Sequence, residues 1–299
     1  MSHAIPAYRR PARGELARRV FSSRLFAAFA AVAAFSDSAR ADPAVTLPAP
    51  PFAAPFLPSI SNDWTVKIGI QGALTPNFYG ANDLAFNPSP IFSIQRAGSP
   101  NRFISPRDNP SIALFDYGRF RAGPVLKFDP ARTSSSDKAL RGLPNVGAAV
   151  ELGAFAEYFP VDWFRTRLEV RNGFGGHQGV VGDLSADAII PLTERLTFSG
   201  GPRFSLKDAK SLSPYFNVDA AESIASGLPE YRLKGATAST GVGAQLGYML
   251  TPQWEVHGYV EYERLLNGAA SSPLIKLRGS PDQVTVGLGV SYSFDVKVR

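Results

Sequence analysis

The 299-residue chain contains no cysteine, only two methionines and only three histidines. The first absence excludes disulfides and every thiol-based metal or redox centre. Beyond residue 41 there is no run of about eighteen consecutive apolar residues, so no transmembrane helix is expected. An excess of one charge is also missing from the body of the chain. The whole sequence carries 31 Lys+Arg against 25 Asp+Glu, but residues 1–41 hold seven of the arginines against Glu15 and Asp37. What remains is 24 basic and 23 acidic residues. The basic character therefore belongs to the N-terminus, and nucleic acid is not an expected partner.

What is present begins with that N-terminus. Arg9, Arg10, Arg13, Arg18, Arg19 and Arg24 precede an apolar run from Leu25 to Phe35, followed by Ser38-Ala39-Arg40-Ala41. A basic region, a short apolar core and small residues before a cut define a signal peptide over residues 1–41. The apolar run is too short to anchor the chain, since a span needs roughly twenty residues. Residues 42–62 follow with Pro43, Pro48, Pro50, Pro51, Pro55 and Pro58. Proline donates no backbone hydrogen bond, so this stretch reads as a semi-extended linker on the periplasmic side.

From residue 63 to 299 the dominant pattern is alternation. Val284, Val286, Leu288, Val290, Tyr292 and Phe294 alternate with Thr285, Gly287, Gly289, Ser291 and Ser293. Successive side chains of a strand point to opposite faces, so one face is continuous hydrocarbon and the other is small and polar. Phe164, Thr166, Leu168 and Val170 likewise oppose Arg165, Arg167, Glu169 and Arg171, and Trp254, Val256, Val260 and Tyr262 oppose Glu255, His257, Glu261 and Glu263. One face needs water and the other an apolar medium. Short connections at 159–162, 191–194 and 251–252 alternate with longer polar stretches at 129–146, 172–179, 207–232 and 267–282. That is the pattern of a transmembrane up-and-down antiparallel β-barrel, all-β, of ten to twelve strands, in contact with outer-membrane lipids. Twelve is the number expected. Prolines interrupt the alternation over 89–128.

Few residues invite chemistry. His177 lies in a glycine-rich loop, and His257 lies on a water-facing strand face beside Glu255 and Tyr259. A Ser–His–Glu set around His257 has no supporting motif, and a solvated lumen histidine is the plainer account. Asp183 and Asp187 share a strand face, which suits a wet lumen wall better than a metal site. No catalytic, cofactor or metal residue is assigned. The expected lumen lining is Glu151, Glu157, Arg165, Arg167, Arg171, His257 and Glu261, with ion pairs between Glu151 or Glu157 and the arginines across one hairpin.

Several short segments resemble the MltA-interacting protein (MipA/OmpV) family of outer-membrane proteins. They are Gly142-Leu143, Gly176-His177-x-Gly179, Tyr215-Phe216-x-Val218, Ser226-Gly227-Leu228-Pro229-Glu230-Tyr231, Arg264-Leu265, Ser272-Pro273-Leu274-Ile275 and the closing Val290–Phe294. The chain departs at Asn217, where glycine is expected, and in extending past Phe294 to Arg299. The resemblance implies a non-enzymatic scaffold in the outer membrane that bridges a lytic murein transglycosylase and a penicillin-binding protein. Porin-like channels and surface adhesion proteins are its other implied roles. Tyr292 and Phe294 would be the signal read by the barrel-assembly machinery.

Overall fold

The computed structural model describes residues 63–96, 103–105 and 107–297, so the expected signal peptide and linker lie outside the described residues. Its strands are β1 (Trp64–Pro76), β2 (Leu84–Arg96), β3 (Ser111–Ile112), β4 (Phe115–Tyr117), β5 (Phe120–Asp129), β6 (Ala149–Val161), β7 (Phe164–Gly175), β8 (Val180–Pro191), β9 (Leu196–Lys207), β10 (Thr237–Met249), β11 (Trp254–Leu265) and β12 (Asp282–Val296). They form one closed barrel of eleven strands, with β4 as an extra strand hairpinned on β5. Closure abolishes sheet edges, the condition for crossing hydrocarbon with strands.

Nearly every neighbour is antiparallel. The exception is β3, which runs parallel to β2 through Ser93↔Ser111 and Ile94↔Ile112 and meets β5 only at Ser111↔Val125. The expected up-and-down order is thus broken at one place, between β2 and β5. Asp108 lies inside the ring on Arg165, and the chain rejoins the wall as the two-residue β3.

Burial follows the alternation. On β6 every odd position from Ala149 to Phe159 except Gly153 is buried, while Val150, Leu152 and Tyr158 face outward. Leu288, in the middle of β12, is 72% exposed on the outer wall. β12 continues past Phe294, pairing Asp295 with Thr65 and Val296 with Trp64 of β1. The alternation beyond Phe294 is therefore ladder. Tyr292 and Phe294 stack at 6.0 Å, and Trp254 packs on Tyr292 at 5.0 Å, building an aromatic rim at the short-turn end.

The other end corrects the sequence reading. The stretches 207–232 and 267–282 are not merely polar loops. They hold four short helices, α1 (Ala209–Phe216), α2 (Ala220–Ser226), α3 (Asn267–Ser271) and α4 (Pro273–Arg278). Among the described residues no helix is long and apolar enough to cross a membrane. Leu140, Leu143, Leu212, Phe216, Val218, Leu228, Leu233, Leu265, Leu274 and Ile275 gather into one apolar core that caps the barrel. Gly142 stands at φ +83°, where a Cβ would strike the backbone of Ala225 and Ser226, so the joint between the 130–148 loop and α2 requires glycine. Asn217, at φ −65°, needs no glycine, and its Oδ1 accepts from the Leu233 amide at 2.8 Å.

Candidate functional site: a lumen filled by an ionic strut

The barrel interior is a sheet of charge laid over neighbouring strands. Odd positions of β7 point inward, so Arg165, Arg167, Glu169 and Arg171 form a ladder, and Glu157 of β6 sits directly opposite Arg167. Arg165, with no exposed surface, holds Glu157 at 3.2 Å and Asp187 of β8 at 3.0 Å. Arg203 of β9 binds the other oxygen of Asp187 at 2.5 Å, and Arg121 of β5 bonds Glu157 through Nε at 2.7 Å. Nearer the cap, Arg171 binds Glu151 at 2.8 Å and also pairs with Glu169 and Asp183. Buried charge is tolerated only when paired and hydrogen-bonded, and here nearly every partner is another strand's side chain.

A segment threads through this interior. Asp108 lies in the lumen, where it grips Arg165 with both oxygens at 2.6 and 2.9 Å. Arg167 lies 3.7 Å from the same carboxylate. The preceding residue, Arg107, reaches the opposite wall and pairs with Glu261 and Glu263 of β11. Asn109 donates to Glu169 at 2.7 Å, and Phe103 lies under the Arg165 guanidinium at 5.0 Å. Two adjacent residues of opposite sign thus bridge a basic wall on β7 and an acidic wall on β11. The segment is a strut across the lumen.

The expected lining residues fall as follows. Glu151, Glu157, Arg165, Arg167, Arg171 and His257 are buried inside the ring, and Glu261 lies beside Arg107. His257 Nε2 faces Gln71 Oε1 at 3.4 Å, while Glu255 is engaged by Lys67 at 2.6 Å. Asp183 and Asp187 are each bound to an arginine. Arg107, Asp108 and Asn109 join this lining with no pattern in the sequence to mark them, because they sit among Pro100, Pro106 and Pro110 where alternation breaks.

One cluster has metal-like composition: Asp129, Glu151 and His177 bring their ligand atoms within 4.8 Å of one another. His177 Nε2 is 3.1 Å from Glu151 and 3.8 Å from Asp129, and its Nδ1 accepts from the Gly179 amide at 3.4 Å. A ligating imidazole ordinarily donates from its second nitrogen, and here that nitrogen faces a donor. Lys127 at 2.7 Å from Asp129 and Arg171 on Glu151 already supply positive charge. The set fits a tie between loop and wall, not a cation site. Gly173 makes room for it, since a Cβ there would collide with the His177 ring.

The cap meets the barrel at Tyr79, whose ring packs tilted against Phe216 at 5.8 Å and lies 4.1 Å beneath Lys207 Nζ, and whose hydroxyl donates to Glu263 at 3.3 Å. Burial, with the Glu263 carboxylate beside it, pushes the Tyr79 phenol well above its usual range.

Fold and site together define an outer-membrane β-barrel protein with an occupied lumen and a folded cap. The family described as MltA-interacting protein MipA matches residues 68–294. The chain belongs to that family. No match is found among curated proteins. Solved structures that resemble it include the N-terminal β-barrel domain of Pseudomonas aeruginosa OprF, at 11% identity and TM-score 0.31, covering 77% of this chain and 97% of that one. Neisserial surface protein A shows 11% identity and TM-score 0.28 over 77% and 97% of the two chains. Ail, the attachment invasion locus protein of Yersinia pestis, shows 12% and 0.26 over 78% and 99%.

Proposed function

We propose that this barrel acts through its surfaces, as an outer-membrane scaffold that links a lytic murein transglycosylase to a penicillin-binding protein. Family membership points to this role. The structural observation behind it is the strut, because Arg107 and Asp108 occupy the space a passive pore would need. The short-turn end, by convention periplasmic, presents the connections at 162–163, 192–195 and 250–253 as docking points for envelope enzymes.

A photo-crosslinker at Glu194 or Gln253 in intact cells tests the reading. Recovery of a murein hydrolase or synthase is the expected result; capture of lipid and assembly factors alone would overturn it. In a planar bilayer the unmodified protein is expected to pass no steady current, and stable open steps would favour the channel role instead.

A further inference from the structure

The strut is continuous with the weakest part of the wall. Among the described residues no ladder pairing joins β2 to β5, and the strand between them is β3, held through three residue pairs in all. Further ties among the described residues include Ala113 N–H to the Ile94 carbonyl at 3.2 Å, Leu126 N–H to the Pro110 carbonyl at 2.9 Å, and Arg121 to Gln95 at 2.6 Å.

Three prolines border this seam in one orientation. The Ile94 carbonyl points toward β3, so by the two-residue period the backbone nitrogens of Pro88 and Pro90 point the same way. The Leu126 amide points at Pro110, so the nitrogen of Pro124 also faces the seam. Proline within sheets is confined to edges, and a barrel should have none. Here it removes donors that would otherwise lie unsatisfied against hydrocarbon, and it leaves β2 and β5 three fewer bonds with which to zip together. If β3 withdraws, these three positions supply no donor across the gap.

The two sides of the seam differ in chemistry. Outside stand Phe86, Phe92, Leu126 and Phe128, all exposed. Directly behind β3 is a small cavity of about 40 Å³, lined by Gln71, Ser105, Asn109, Ser111, Arg121 and His257 against the Pro90–Ile94 stretch of β2. Its charged members are already paired, so it offers hydrogen-bonding groups of both kinds with little net charge.

We infer that the β2–β5 seam is a lateral port between lumen and bilayer, closed here by β3 and the strut, for an amphipathic molecule. The hydrocarbon tail would lie along Phe86, Phe92, Leu126 and Phe128, and a small neutral polar head would enter the space behind β3 that the strut vacates. Asp108 on Arg165 is the latch, because releasing it frees the segment that ends in β3.

The test uses the full-length protein in phosphatidylcholine vesicles carrying as probe a monoacylglycerol with a diazirine beside its neutral glycerol head, with labelled residues identified by mass spectrometry. Label is expected on the inward-facing Ser93, Ser105 and Ser111. Asp108→Asn should raise it roughly tenfold, the population change that follows from weakening a charge-assisted bond in a two-state equilibrium. Because the chain has no cysteine, Ser93→Cys with Ser111→Cys places a sole thiol pair on the β2–β3 joint, and in a second variant Ser111→Cys with Val125→Cys places one on the β3–β5 joint. Oxidation of the pair on the joint that opens should abolish inward label at Ser105, and a reductant should restore it. Label confined to the outward phenylalanines in both wild type and Asp108→Asn overturns the port. Inward label indifferent to both disulfides also overturns it, since the probe then enters from an aqueous end. Should one variant fail to fold or to oxidise, the other arm decides alone.

Discussion

The barrel and its cap solve the same packing problem with opposite chemistry. In the wall, arginine and carboxylate are buried and leucine faces out; in the cap, leucine and phenylalanine are buried and charge faces out. The wall has hydrocarbon outside, so apolar side chains lose nothing by exposure there, and its ladder satisfies the backbone. The cap has water outside and must gather an apolar core of its own. A buried residue therefore means a different thing in each region. In the wall it marks a strut or an ion pair, and in the cap it marks hydrophobic stabilisation.

The sharpest way to break the comparison is to put a cap-like residue into the wall's interior. Arg165→Leu leaves Asp108, Glu157 and Asp187 facing one another without their shared cation. A loss of about 3–5 kcal/mol is expected, the cost of stranding buried charge. Urea unfolding of the refolded barrel, followed by heat-modifiable gel mobility, would show it. An unchanged midpoint would mean the network does not hold the wall together.

The corresponding injury to the cap is Leu274→Ala. Leu274 is fully buried, and the truncation should cost about 2–5 kcal/mol of cap stability. The damage should stay local, because the wall's ladder does not use that side chain. Limited proteolysis should cut faster within 208–236 and 266–281, while the barrel keeps its folded mobility. A barrel that melts with the cap would show the two regions to be one cooperative unit.

The same contrast explains what could be read in advance. Period-two alternation survives in the sequence because each wall strand is long and two-faced, so the barrel, its strand range and the inward position of Glu157 and Arg167 were legible. The cap was not. Its helices run five to eight residues, α1 even contains Pro214, and none completes enough turns to show a helical period. The strut escaped for a related reason: Arg107 and Asp108 are positioned by partners on distant strands, which no local pattern encodes. β2 was obscured by Pro88 and Pro90, since proline excludes a strand only where both its edges are paired. The segments that carried the family resemblance, such as Tyr215-Phe216 and Leu274-Ile275, converge in the cap core. They were recognisable in order along the chain while their meeting place was not.

Two exposed leucines sharpen the comparison further. Leu288 on β12 and Leu277 on α4 are 72% and 65% exposed. Leu288→Lys places a charge on the middle of the lipid-facing wall and should cost about 2–4 kcal/mol. Leu277→Lys sits in water and should change stability by less than about 0.5 kcal/mol. Equal effects in a refolding titration would mean that one of the two faces has been assigned to the wrong solvent.

The smallest expected effect probes how the cap helices persist at all. α2 is seven residues long, too short to be stable by propensity, and it starts with a complete capping box. Asp219 accepts from the Glu222 amide at 2.8 Å while the Glu222 carboxylate accepts from the Asp219 amide at 2.8 Å. Asp219→Ala should cost about 1 kcal/mol, felt only in the cap. Hydrogen exchange should quicken over 219–227 and leave β6 and β7 unaltered, because their amides belong to the ladder. A slowed exchange, or a change spread into the wall, would refute the idea that the cap folds by the rules of a water-soluble core while the wall folds by those of the bilayer.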